Sequence, residues 1–176
     1  MQDHIKTQRL ILRPPHLGDA EAMRRILGDW DVARMSASLS HPYPLLSAEF
    51  KIMSMQAKRK TGLIYAYVIT KDDDIIGLVD LFRKTTSDPF ELGYCLAPEH
   101  WGHGYMSEAC QSLMDAARST LSIERMIANV WHDNPASIQI LEKLDFQKSK
   151  AHNFAFSIAR GCKVKSYTFE NLFESA

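Results

Sequence analysis

The sequence predicts an α+β fold in which a mostly antiparallel sheet contains one parallel β-α-β unit. Two apolar runs, Leu63–Thr70 and Ile75–Phe82, flank a polar turn and form a hairpin. Phe90–Leu96 alternates in polarity and adds a third antiparallel strand. A helix from about Tyr105 to Thr120 then leads to the apolar strand Ile123–Trp131, an order that requires a crossover between parallel neighbours.

Length and composition indicate a single soluble domain, 1–176. The chain has 176 residues, of which 45% are hydrophobic and 24% charged, and its formal net charge is zero. Because a basic excess is absent, we expect no nucleic-acid partner and no anionic membrane surface. No apolar run approaches the roughly 20 residues that span a bilayer. Three scattered cysteines favour buried thiols in a reducing, cytoplasmic setting.

The N-terminal part predicts one strand and two helices. Leu10–Arg13 is the strand, and Asp19 caps a helix that ends at Gly28. After an irregular stretch over 35–46, Ser47 caps a second helix that reaches about Lys60. The apolar stripe predicted for this second helix consists of Phe50, Met53 and Ala57.

The C-terminal part predicts a further helix and two strands. Asn134 is placed to cap a helix that has Pro135 at its first position. Apolar residues follow at helical spacing, namely Ile138, Leu141 and Leu144. The tail from Phe146 to Phe173 contains two polar strands divided near Gly161.

A glycine-bearing loop joins the strand Phe90–Leu96 to the following helix. Gly102 and Gly104 permit backbone angles that other residues resist, and the helix start adds unpaired amides and a positive dipole end. Such a junction can bind phosphate oxygens, although two glycines before a helix can also form an ordinary tight turn.

Several motifs together resemble the GNAT acetyltransferases, within them the RimJ/RimL-type branch that acetylates protein N-termini and small amines. The matching segments lie along nearly the whole chain: Thr7-Gln8-Arg9-Leu10-Ile11-Leu12-Arg13-Pro14, Asp19-Ala20-Glu21-Ala22, Glu91-Leu92-Gly93-Tyr94, Pro98-Glu99-His100-Trp101-Gly102-His103-Gly104-Tyr105, Glu108-Ala109, Asn134-Pro135-Ala136-Ser137 and Leu141-Glu142-Lys143-Leu144-Asp145-Phe146. Two residues depart from the pattern: Met106 replaces a small residue and Asp145 replaces glycine.

The resemblance implies a GNAT-like central sheet with a splayed strand pair and helices on both faces. It implies acetyl-CoA as donor, no metal, and direct attack by a primary amine in a ternary complex. The expected acceptor is a protein N-terminus or a small amine. The protein is expected to be a monomer or a homodimer. The implied cofactor-binding residues are Tyr94, Cys95, Leu96, Gly102, His103, Gly104, Tyr105, Met106, Ser107 and Asn134. Ser137 is implied to assist the departing thiolate.

The reaction requires a neutral amine, which directs attention to carboxylates near the cleft. Deprotonating a lysine at pH 7 costs about 4.6 kcal/mol, whereas an α-amine costs only about 1–1.4 kcal/mol. Glu91 is the first candidate for the base because it shares a strand face with Gly93 and Cys95. Asp80, inside an apolar strand, is the second.

Other functions remain as alternatives. The pair His100 and His103 has no acidic or cysteine partner at ligand spacing, so a metal site is not predicted. Cys95 is read as a small buried residue and not as a nucleophile. The chain after Trp131 is too short for the second half of a dinucleotide-binding fold. The main rival is a non-catalytic domain of the same fold that binds acyl-CoA or a partner.

Overall fold

A computed structural model describes residues 1–121 and 123–173. Within them, eight strands form one sheet in the order β1-β2-β3-β4-β5-β6-β8-β7. All neighbouring pairs are antiparallel except β5 and β6, which run parallel, as the sequence predicts. The strands are β1 (Ile5–Lys6), β2 (Ile11–Arg13), β3 (Ile64–Lys71), β4 (Asp74–Phe82), β5 (Phe90–Leu96), β6 (Arg125–Trp131), β7 (Gln147–Ser157) and β8 (Cys162–Leu172).

Helices cover both faces of the sheet and divide the core in two. The helices are α1 (Ala20–Gly28), α2 (Trp30–Ala33), α3 (Leu45–Lys60), α4 (Tyr105–Leu121) and α5 (Pro135–Lys143). The smaller core lies between the sheet and α1, α2 and α3, around Met23, Ile26 and Ile52. The larger core lies against α4 and α5, around Leu113 and Met126. None of the helices in the described ranges has the length and apolar character needed to cross a bilayer.

The prediction for α3 is wrong in its cap and in its buried face. The helix begins at Leu45 after Pro44, so Ser47 lies inside its first turn. The predicted stripe of Phe50, Met53 and Ala57 is exposed, and the helix instead buries Ala48, Ile52 and Met55. Both sets have helical spacing, so periodicity alone could not distinguish the face that meets the sheet.

Asp19 precedes α1 as predicted, but its side chain does not cap that helix. The carboxylate is buried, accepts the His16 amide at 2.9 Å and forms a two-point ion pair with Arg13, with both N···O distances 2.8 Å. This pairing ties β2 to the start of α1. The short elements β1 and α2 were not predicted, although Asp29 caps α2 by accepting the amides of Asp31 and Val32.

The end of α5 is a Schellman motif built on Asp145 instead of glycine. Asp145 has φ of 62°, its amide donates to Glu142 O at 3.2 Å, and the Phe146 amide donates to Leu141 O at 3.0 Å. The turn expected at this position therefore forms, with an L residue in the left-handed region.

Arg160, in the β7–β8 turn, connects three segments that are distant in sequence. Its Nε donates to Arg34 O at 2.6 Å, and Nη1 donates to the Asp133 carboxylate at 2.8 Å. The adjacent Ser157 hydroxyl donates to Ser36 O at 3.1 Å. The bridge thus joins the edge hairpin, the loop after α2 and the residue before Asn134.

The cysteine prediction holds only in part. Cys95, Cys110 and Cys162 are all free thiols. Cys110 is buried and Cys95 is partly buried, but Cys162 is exposed at the start of β8, contrary to the expectation of three buried thiols.

Candidate active site

The loop between β5 and α4 places its glycines in left-handed backbone conformations. Gly102 has φ of 78° and Gly104 has φ of 77°. A Cβ atom at Gly102 would meet nothing within 4 Å, and one at Gly104 would lie 3.5 Å from Arg9 Nη2. Glycine is therefore required here for conformation and not for space.

The amides of this junction have no acceptor among the residues that the structure describes. Within the hydrogen-bond network of the described residues, none of the N–H groups from Gly102 to Ser107 is a donor; the first amide that is paired is that of Glu108, which donates to Gly104 O at 3.1 Å. Unpaired amides at the positive end of a 17-residue helix suit phosphate oxygens. The backbone thus fits a diphosphate at the predicted place.

Side chains around the loop hold its shape. The Trp101 indole donates to Leu96 O at 2.8 Å, and the His103 ring stacks on Tyr105 with centroids 5.5 Å apart. Met106 is buried in the larger core, so the large side chain at this unusual position is accommodated and only its amide belongs to the junction.

A gap opens between β5 and β6. The two strands pair only at Phe90–Met126 and Glu91–Ile127, although each has seven residues. Beyond these pairs, β6 stays with β8 as far as Trp131. The edge of Tyr94, Cys95 and Leu96 that faces β6 consequently has no strand partner in the described sheet, and this splay is the one implied by the resemblance.

Two carboxylates lie beside the gap on the α3 side of the sheet. Glu91, Gly93 and Cys95 share this face, and Asp80 lies directly opposite Gly93 across the β4–β5 pairing. Asp80 Oδ1 is buried without a hydrogen-bond partner in the described structure. Burial raises the pKa of Asp80 to about 6, with Glu91 adding to the increase and Lys51 of α3 opposing it.

Glu91 and Cys95 are further titratable groups on this face. Burial raises the pKa of Glu91 also, while Asn129 and Lys84 oppose the increase. Burial raises the pKa of the Cys95 thiol to about 12, so Cys95 is protonated at neutral pH, as expected of a residue that is not a nucleophile.

A hydroxyl pair lies on the opposite face of the sheet. The Tyr94 and Ser137 side-chain oxygens are 2.7 Å apart, and Tyr94 also donates to Ser137 O at 3.2 Å. Burial raises the pKa of Tyr94, so its phenol keeps its proton at neutral pH. Asn134 Oδ1 accepts the Ser137 amide at 3.1 Å, which confirms the predicted cap.

The structure therefore brings the predicted residues into three groups around one gap: the loop amides at its open end, Asp80 and Glu91 on one face, and Tyr94 and Ser137 on the other. The sequence analysis did not identify the Tyr94 hydroxyl as a site group. Strand alternation placed the Tyr94 side chain on the other face of β5 from Glu91, but it could not reveal Ser137 as the partner of the hydroxyl. The sequence analysis also missed Lys51, whose position one residue before the buried Ile52 was the available signal.

Comparison with known proteins shows the family to which the chain belongs. A family model described as acetyltransferase (GNAT) domain matches residues 9–147. The uncharacterized N-acetyltransferase p20 of Bacillus licheniformis is 30% identical over 96% of this chain and 95% of its own.

Solved structures share the fold at low identity. Mycobacterium smegmatis RimJ, in complex with CoA-disulfide, has a TM-score of 0.86 at 18% identity, over 97% of this chain and 87% of its own. An acetyltransferase from Salmonella typhimurium that modifies the N-terminal serine of ribosomal protein L7/L12 has a TM-score of 0.83 at 18% identity, over 97% and 99% of the two chains. The chain described here thus belongs to the GNAT acetyltransferase family.

Proposed function

We propose that the protein transfers an acetyl group from acetyl-CoA to a primary amine, either a protein N-terminus or a small amine. The main support for this proposal is the β5–β6 gap. It has unpaired loop amides at its open end, a buried carboxylate on one face and a hydroxyl pair on the other. These residues fit a diphosphate and a thioester arm that enters beside Tyr94–Leu96. Acetyl-CoA would supply an activated thioester carbonyl there.

Asp80 is the stronger candidate for the base, ahead of Glu91. Its Oδ1 has no competing partner in the described structure, whereas Glu91 interacts with Asn129. Asp80 also lies opposite Gly93, next to Tyr94–Leu96, whose edge toward β6 has no strand partner in the described sheet. A carboxylate whose pKa is about 6 is ionised at pH 7 and more basic than an ordinary aspartate.

The pKa of the acceptor favours an α-amine over a lysine side chain, by the same amount whichever base takes the proton. Transfer of a proton from an α-amine of pKa about 7.7–8.0 to a carboxylate of pKa about 6 is unfavourable by roughly 2–3 kcal/mol. From a lysine of pKa about 10.4 the same transfer costs roughly 6 kcal/mol. The proposal therefore ranks N-terminal amines and small amines of low pKa above lysine side chains.

Tyr94 and Ser137 are positioned to support the thiolate that leaves. Tyr94 is protonated and Ser137 is within hydrogen-bond distance of it, so the pair can donate one proton and share the resulting charge. Because this pair lies across the sheet from Asp80, the groups that take up and give a proton are kept apart.

The proposal is tested by measuring thiol release from acetyl-CoA with a panel of N-terminal peptides, small amines and lysine derivatives. Thiol release that depends on the amine supports transfer. CoA binding by calorimetry without amine-dependent release from any acceptor would favour the alternative, a domain that binds acyl-CoA or a partner without turnover. The Met106 and Asp145 departures left that alternative open in the sequence, but both are accommodated in the structure.

A further inference from the structure

Glu108 places a carboxylate in the first turn of α4, next to the unpaired amides of the loop. The Thr7 hydroxyl donates to its Oε1 at 2.5 Å, and the Arg9 amide donates to the same oxygen at 2.8 Å. Arg9 Nε donates to Oε2 at 2.7 Å. Burial acts to raise the pKa of Glu108, but the hydrogen bonds from Thr7 and Arg9 outweigh it and leave the pKa below its ordinary value.

Arg9 also reaches the loop itself. Its Nη1 donates to His103 O at 3.0 Å, and its guanidinium carbon lies 4.6 Å from the centre of the Tyr105 ring. Its Nη2 has no acceptor in the described residues and would lie 3.5 Å from a Cβ atom placed on Gly104. A single side chain from the segment between β1 and β2 thus contacts both sides of the junction.

The charges at this junction decide whether it can accept an anion. An uncompensated carboxylate within one turn of the amides would repel a diphosphate and oppose the helix dipole that attracts it. The Arg9 guanidinium cancels that charge at a distance of 2.7 Å and leaves the amides unpaired in the described structure. Arg9 side-chain atoms remain 42% exposed, so the compensation acts at the surface where a ligand arrives.

We propose that Arg9 is a positioning residue for the donor diphosphate: it neutralises Glu108 and fixes the His103 carbonyl, and so makes the start of α4 receptive to the anion. The proposal rests on the proposed function, because the diphosphate is that of acetyl-CoA. It assigns Arg9 no contact with the reacting atoms.

The test compares CoA affinity by calorimetry in four proteins: wild type, Arg9→Ala, Glu108→Gln and Arg9→Ala/Glu108→Gln. We expect Arg9→Ala to weaken CoA binding about tenfold or more, equivalent to ~1.4 kcal/mol or more. Glu108→Gln keeps an oxygen for Thr7 and the Arg9 amide, so it should bind CoA as tightly as wild type or more tightly. The double variant should recover most of the loss. Arg24→Ala, which removes an exposed arginine from an ion pair within α1, is the matched control.

A second measurement separates charge compensation from general damage. With S-acetylpantetheine, a donor that lacks the diphosphate, Arg9→Ala should keep the wild-type kcat/KM, whereas with acetyl-CoA its KM should rise and its kcat should stay unchanged. Equal losses with both donors, or a double variant no tighter than Arg9→Ala, would overturn the proposal. Wild-type protein that binds no CoA would instead overturn the proposed function, and this inference with it.

Discussion

Gly93 and Asp80 face each other across β4 and β5 so closely that a Cβ atom at Gly93 would lie 2.5 Å from Asp80 Oδ1. The glycine is therefore needed for the space that the carboxylate occupies. Gly93→Ala should force Asp80 to turn away from the gap. We expect the turnover of an N-terminal peptide to fall by about 10²-fold or more, the range for loss of a general base, while CoA affinity stays unchanged. A variant with wild-type turnover would remove Asp80 from the reaction.

Replacing Asp80 itself should reduce activity and increase stability in the same pH range. The folded-state pKa of about 6 lies above the ordinary value of 3.8, so the folded protein binds the proton more tightly than the unfolded chain does. This contribution to stability is complete below pH ~4 and is lost as pH rises through about 6. Asp80→Asn avoids the buried charge. The amount by which its unfolding free energy exceeds that of wild type should therefore be roughly 1–3 kcal/mol larger at pH 7.5 than at pH 4.

Denaturant unfolding at the two pH values measures this difference, and Glu91→Gln serves as the comparison.

If Asp80 is the base, kcat/KM of the wild type should rise with pH through about 6 before the amine itself titrates. An Asp80→Asn protein that keeps both this limb and full activity would identify Glu91 or solvent as the base.

The Tyr94–Ser137 pair predicts a loss confined to the chemical step. Ser137→Ala and Tyr94→Phe should each lower kcat and leave CoA affinity nearly intact, because a group that protonates the leaving sulfur acts mainly in the transition state. Since the two hydroxyls share one hydrogen bond, the double variant should lose less than the product of the two single effects. Losses that multiply in full would show that the hydroxyls act independently.

Asn134 offers a test that separates capping from cofactor contact. Its Oδ1 caps α5, and its Nδ2 has no acceptor in the described residues. Asn134→Asp keeps a good cap, so the melting temperature should match wild type. CoA affinity should fall, because an amide donor is replaced by a negative charge beside an anionic ligand. If melting temperature, affinity and turnover all equal those of wild type, the residue only caps the helix.

Asp145 carries a conformational cost that glycine would remove. Its φ of 62° in the Schellman turn costs an L residue about 1–2 kcal/mol. Asp145→Gly should therefore increase the free energy of unfolding by about 1 kcal/mol, since the flexibility of glycine in the unfolded chain offsets part of the gain. Chemical denaturation with an unchanged m-value checks this, and a destabilised variant would show that the Asp145 side chain contributes favourable contacts.

The sequence predicted the elements whose signals are local. Asn134 followed by proline defined the start of α5, and the alternation of Phe90–Leu96 correctly placed Glu91, Gly93 and Cys95 on one face. The face of α3 was not predictable, because Phe50 and Ile52 are equally apolar and only the sheet decides which is covered. The family resemblance, and not the residue pattern, supplied the gap between β5 and β6.

For the site, residue type suggested the candidates but not their environment. A carboxylate at position 80 in an apolar strand looked unusual, yet its buried and unpaired oxygen depends on the packing of β4, β5 and α3. Likewise, nothing in the alternation of β5 indicates that the Tyr94 hydroxyl meets a residue 43 positions away. These pairings arise from tertiary contacts, which single-sequence patterns do not encode.

The Arg160 bridge has a consequence for how the molecule opens. One guanidinium joins the β7–β8 turn to Arg34 O, 126 positions away, and to Asp133 beside the cap of α5. Because one partly buried side chain holds all three segments, we expect the edge hairpin, the loop after α2 and the first turn of α5 to open together in local unfolding. Because Ser137 lies in the first turn of α5, such opening would also break its hydrogen bond with Tyr94.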